Sequence, residues 1–288
     1  MDDIIINPGE YHSITFESSY IQQIFRILLS NYFSNKRKSE RIDGHYIKIV
    51  SKTTGNTLQR KDIYFINFDC NVIALKTEKS TNKLLQDLLF YHLENNATLL
   101  ENFIQLNEEI TRFTSAISLE DNNLFIDFEP TDKTIQNLIK SLTIHIEFDE
   151  SEYVPNYLLR EYLIKSLLQL NTSEKDVFLV ISFPESDVGR EDFSKVADGL
   201  KKLNITTLVL TTKREFITSA SSSNISMVDK NGFIYDIIKM MKEIEAFNLV
   251  SEDKLEDVTK DLVYRDFTKD FMLLDTKMKE FLASSKFY

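Results

Sequence analysis

VFLVISF (177–183) and ITTLVL (205–210) are the stretches that decide the fold. Each is a nearly continuous run of apolar and β-branched residues. A strand with one wet face alternates between apolar and polar, whereas an unbroken apolar run of this length fits a strand covered on both faces. Between them, a helix is expected near 191–202. Strand, amphipathic helix and strand together predict a βαβ unit in a buried parallel sheet.

Working outward, HSITF (12–16), IYFINF (63–68) and ISMV (225–228) are further strand candidates, as is IIIN (4–7). HYIKIV (45–50) alternates as a half-buried strand does. YIQQIFRILLSNYF (20–33) places Ile21, Ile24, Phe25 and Leu28 on one helical face. LFIDF (124–128) and TIHIEF (143–148) read as strands, and TIQNLIKSL (134–142) and YLLREYLIKSLLQL (157–170) as helices.

From residue 80 the pattern changes. Leu99, Phe103, Leu106, Ile110, Phe113 and Ile117 follow 4, 3, 4, 3, 4 spacing, an a/d seam, with Leu85, Leu88 and His92 spaced similarly upstream. One helix over about 80–118, roughly 55–60 Å long, is the expectation. It serves either as a projecting leg or as a core helix of a bundle. The tail is helical again, at 233–247 and 253–285, with Leu255, Val258 and Leu262, then Phe271, Leu274, Met278 and Phe281, each run at 3/4 spacing. The expected organisation is a head of 1–79 and 143–235, a helical insertion of 80–142, and a helical extension of 236–288.

Composition narrows the function. The 288 residues include six Gly and four Pro, which favours long elements, and one cysteine, Cys70, which excludes an intramolecular disulfide or a multi-cysteine zinc site. MDDIIINPGE lacks a basic n-region and a long apolar stretch, so a signal peptide is not expected. VFLVISF falls far short of the roughly 20 residues that span a bilayer. A soluble, cytoplasmic protein with no membrane partner is expected.

No motif for nucleotide chemistry is present. A phosphate-cradling loop needs closely spaced glycines, and here no two are neighbours: they stand at 9, 44, 55, 189, 199 and 232. Asp69, ending an apolar strand, sits where an ATPase holds a magnesium ligand; without the loop it reads as a turn residue. His12, His45, His92 and His145 form no ligand pair, and no nucleophile elbow occurs. No enzymatic activity is expected. Two acidic clusters, DNNLFIDFEPTD (121–132) and EFDESE (147–152), offer oxygen ligands for a hard cation or are solvated loops.

The charge is uneven. The chain carries 45 acidic and 34 basic side chains, for a net charge of −11. Yet residues 35–61 hold Lys36, Arg37, Lys38, Arg41, Lys48, Lys52, Arg60 and Lys61 against only Glu40 and Asp43. Such a cluster is either a solvated loop or a surface for phosphates, which Lys and Arg bind by displacing counterions.

LFIDFEPTDKTIQNLIKSLTIHIEF, then VFLVISF, LNITTLVLTTKREF and ISMVDKNG, resemble in order and spacing the CRISPR-associated Csn-two family, the accessory adaptation proteins of type II-A systems. The likeness covers about residues 1–235, and the helical tail resembles the extension of the family's long form. It implies a head like that of an ABC ATPase but without nucleotide binding, with an inserted coiled-coil leg. It also implies a homotetrameric ring that binds double-stranded DNA ends and takes part in spacer acquisition with the integrase proteins and the RNA-guided nuclease. Calcium at the head–leg hinge is implied too, with Asp127, Glu129 and Glu147, and less closely Asp132, as the matching carboxylates. The rival expectation is a helical scaffold that binds partner proteins and makes no DNA contact.

Overall fold

The computed structural model describes residues 3–33, 41–51, 54–58, 63–70, 85–91, 95–115, 119–121, 124–126, 176–272 and 274–284. The chain forms two compact units, one of residues 1–73, 155–161 and 173–288, the other of residues 74–154 and 162–172.

The first unit is built on a five-stranded sheet. β1 (Tyr11–Phe16), β2 (Ile63–Asp69), β5 (Asp176–Ser182), β6 (Thr206–Leu210) and β7 (Ile225–Val228) lie in the order β2-β5-β6-β1-β7. Every pairing is parallel. The chain is therefore α/β, as the unbroken runs at 177–183 and 205–210 require. β1 is buried along its whole length because it is central and covered on both faces.

Its alternating side chains show how the two faces are used. Ile14 and Phe16 join Phe178, Val180, Leu208, Leu210 and Val228 in one core, closed by Leu29 of α1 (Ser19–Tyr32) and by Phe33, which caps that helix. Phe33 stacks on Phe65 at 4.3 Å between centroids. The other face carries hydroxyls. Tyr11 and Ser13 donate to the carbonyls of Phe216 and Ile217, at 2.9 and 3.0 Å, in a short helix, Arg214–Thr218. Buried hydroxyls on this interior strand thus tie it to the short helix.

α2 (Ala97–Ser115) belongs to the second unit, with the antiparallel pair β3 (Leu119–Asp121) and β4 (Leu124–Ile126). The single helix expected over 80–118 is interrupted. Residues 85–91 are helical, but Asn96 lies outside the helix and its side-chain oxygen accepts the Leu99 amide at 3.1 Å. Asparagine favours this N-cap role, so a new helix starts at Ala97 although the apolar spacing runs past it. IIIN (4–7) forms no strand either. Ile4 and Ile6 still pack on the core, and the Asn7 amide donates to His12 rather than to a ladder.

Between the 3-10 turns after β5 and the strand β6 runs α3 (Phe193–Lys201). With the short helix at Arg214–Thr218 taken as α4, the tail supplies α5 (Ile237–Ala246), α6 (Leu255–Thr268) and α7 (Thr276–Ser284). Met240, Ile244, Leu262 and Val263 are buried. α6 is also tied down by polar contacts: Ser222 donates through both its amide and its hydroxyl to Glu256 at 3.1 Å, and Tyr264 donates to the Thr212 carbonyl at 3.0 Å. Lys269, in the left-handed region at φ 58°, ends the helix. Among the described residues, no helix is long and apolar enough to cross a membrane.

His12 makes the fold sensitive to acid. It is buried in β1, and its Nε2 accepts the Asn7 amide at 2.9 Å. Burial lowers its pKa from the ordinary 6.5, outweighing the opposing pull of the Asn7 backbone and Glu10. Below that value the unfolded chain binds the proton first. Stability is therefore complete above about pH 6.5 and falls as pH drops through the lowered folded-state pKa, by at most about 1.4 kcal/mol per pH unit. Urea titrations at several pH values should show this slope, and His12→Gln should reduce it. An identical pH profile for both proteins would refute the assignment.

Candidate functional site: the carboxyl edge of the sheet and two basic surfaces

Because all five strands are parallel, their carboxyl ends lie along one edge, where open α/β sheets place their ligands. In nucleotide-binding folds the turn after the first strand cradles phosphate. Here β1 and α1 are joined by Glu17 and Ser18 alone. The Ser18 hydroxyl accepts the Ile21 amide at 3.4 Å and caps the helix, and Glu17 accepts the Lys230 amide at 3.0 Å. A carboxylate therefore stands beside the helix start, where an anionic ligand would meet repulsion.

Asp69 is explained by the same edge. It forms an ion pair with Arg26 of α1, whose Nε donates to Ser182 Oγ at 3.1 Å. The Arg26 guanidinium lies over the Phe183 ring, 4.9 Å from its centroid. Phe183 itself is left-handed at φ 56°, a conformation that is costly for a residue with a side chain. β2, β5 and α1 are thus clamped together by one arginine. The side chains are 23% and 28% exposed, so the pair is largely withdrawn from water. Cys70, next in sequence, is buried, and its amide donates to the Ser182 carbonyl at 2.9 Å.

Of the eight expected DNA contacts, Arg41 and Lys48 fall within the described residues; Lys36, Arg37, Lys38, Lys52, Arg60 and Lys61 lie outside them. The segment that carries Arg41 and Lys48 is a built surface. Ile42 and His45 bridge across Asp43 and Gly44, both at positive φ (49° and 82°), the Asp-Gly turn that suits a tight hairpin. Beyond the turn, Ile47 and Ile49 pack on the core while Tyr46, Lys48 and Val50 are exposed. The alternation expected of HYIKIV survives, although the segment does not join the sheet. Tyr32 holds it to α1 by donating to the Leu58 carbonyl at 2.6 Å, and Tyr20 bonds Asp43. Arg41 lies over the Tyr46 ring at 5.8 Å. Arg41, Tyr46 and Lys48 thus form a basic, aromatic row on the surface.

The four carboxylates expected to hold calcium, Asp127, Glu129, Asp132 and Glu147, lie outside the described residues. Among the described residues no cluster of three or more His, Cys, Asp or Glu suits a metal.

A second basic surface was not singled out from the sequence. A cleft of about 810 Å³ is lined by Val188, Arg190, Phe193, Lys213, Arg214, Glu215, Tyr264, Arg265 and Asp270. Asp261 bridges two of its arginines, accepting from Arg214 Nε at 2.6 Å and Arg265 Nε at 2.7 Å. Burial, reinforced by the nearby Glu215, raises the Tyr264 pKa. KREF (213–216) was visible as a short charged run after a strand, but the partners from 261–270 are brought to it only by the fold.

No protein-family model matches the chain. No curated protein matches it either. Among solved structures, the fold is similar to that of Stu0660 of Streptococcus thermophilus, with a TM-score of 0.64 over 97% of this chain and 95% of that one. The identity is 16%, so the likeness is one of fold.

Proposed function

We propose that this chain is a non-catalytic, ring-forming protein of CRISPR spacer acquisition that binds double-stranded DNA ends. The observation that carries the reading is the exposed row of Arg41, Tyr46 and Lys48, set on an anchored segment within the most basic stretch of an acidic chain. A phosphate-tracking surface needs positive charge where the duplex passes and no base contacts, and an acidic exterior elsewhere discourages non-specific adhesion. The carboxylate at the β1–α1 turn favours binding without nucleotide hydrolysis. The sequence likeness to the Csn-two family and the fold likeness to Stu0660 support the same reading. In it, the sheet unit is an ABC-ATPase-like head, α2 belongs to a coiled-coil leg, and four copies close a cytoplasmic ring. The ring works with the integrase proteins and the RNA-guided nuclease, with calcium held by the carboxylates around 127–147.

Gel shifts on linear and closed-circular duplexes of one sequence, at two salt concentrations and with calcium or chelator, test it. Salt-sensitive binding to linear DNA only is expected, weakened by chelation. Binding to neither form would reject the reading. In that case α2 favours the scaffold instead, because Leu99, Ile104, Leu106 and Phe113 are exposed, Phe113 at 68%, as a helix awaiting a partner protein would have them.

A further inference from the structure

The cleft described above lies beyond the carboxyl ends of β5 and β6 and takes no residue from the β1–α1 turn. β1 and β6 are adjacent, but α1, which follows β1, packs on one face and α4, which follows β6, packs on the other. Arg190, shortly after β5, and Lys213 and Arg214, just after β6, stand at that edge, and α6 supplies Tyr264 and Arg265 opposite them.

The charges are unequally committed. Arg265 is bonded to Asp261 and lies 3.9 Å from Asp270, and Arg214 uses its Nε on the same Asp261. Arg190 and Lys213 have no side-chain ion pair or hydrogen bond among the described residues, and both are exposed. Among the lining carboxylates Glu215 has no cation partner, and Glu185 adds negative charge near Tyr264. Phe193, Tyr264 and Val188 give the cleft apolar and aromatic wall. About 810 Å³ is in the range of small-molecule sites. The ligand such a site suits has an anionic head for Arg190, Lys213 and the free Nη groups of Arg214, and a flat body for the aromatic wall.

We infer that this cleft binds a phosphate monoester carried on an aromatic base, either as a free nucleotide or as the phosphorylated 5′ end of a nucleic-acid strand. The inference rests on the cleft alone and does not depend on the ring or on Arg41 and Lys48. Its test is calorimetric titration of the full chain with adenosine monophosphate, inorganic phosphate, and a tetranucleotide with or without a 5′ phosphate. Adenosine monophosphate or the phosphorylated tetranucleotide should bind at least about ten-fold more tightly than inorganic phosphate, and Arg190→Gln or Lys213→Gln should each weaken that binding about ten-fold or more. The tighter of the two ligands identifies the source. Both substituted residues are exposed, so unfolding midpoints should stay at the wild-type value. No binding of either nucleotide ligand, affinity equal to that of inorganic phosphate, or binding indifferent to both substitutions would overturn the proposal. Duplex gel shifts with 5′-hydroxyl ends should be unchanged in these variants, which separates failure here from failure of the DNA-ring reading.

Discussion

Leu262→Ala should lower the free energy of unfolding by about 2–5 kcal/mol, the cost of a cavity in a core that cannot collapse around it. Leu262 sits on α6, in the tail, and is 0% exposed. It shares this burial with Val263 on the same helix and with Met240 and Ile244 on α5. α6 is also anchored to the turn after β6 by Tyr264 and to Asp261's partner Arg214. These contacts make the tail helices part of the sheet unit's core, so loss of one buried methyl cluster should be felt across the whole unit. Urea denaturation measures the effect. Met272→Ala, at a residue 88% exposed in the same tail, should change stability by less than about 0.5 kcal/mol and serves as the control. A cost below about 1 kcal/mol at Leu262 would mean that α6 does not dock as described.

The second large effect concerns DNA. If Arg41 and Lys48 each neutralise one phosphate, each adds about 0.9 to the slope of log affinity on log salt, worth roughly five-fold at ~0.15 M salt. The double substitution Arg41→Gln, Lys48→Gln should then weaken duplex binding about 30-fold and lower the slope by about 1.8. Neither change touches the Ile47 and Ile49 packing that holds the segment, so stability should stay near wild type. A salt slope that is the same in the variant would remove this row from the interface.

The α/β class was legible because burial on two faces leaves a local mark. The runs at 177–183 and 205–210 carry no charged residue and no polar alternation, and the structure sets both strands inside a parallel sheet. α1 was legible by its apolar stripe for the same reason. The break at Asn96 was present in the sequence as an Asn-Asn pair at 95–96, but an apolar rhythm on either side masked it. A single capping bond outweighed that rhythm. IIIN failed as a strand because β-branched residues report burial, and burial against a core does not require a ladder partner.

The candidate sites were legible only in part. Basic residues close in sequence, such as Arg41 and Lys48, could be grouped by counting. The role of Asp69 could not, since its partner Arg26 lies 43 residues away on another element. The cleft is the extreme case, because it joins Arg190, Lys213 and Arg265 from three separate segments. The sequence by itself determined the buried parallel sheet, the amphipathic helices and the location of the densest positive charge, all properties of neighbours along the chain that physical periodicity exposes. Only the tertiary structure decided which charges are neutralised and which remain available, because that depends on distances between residues the chain keeps far apart.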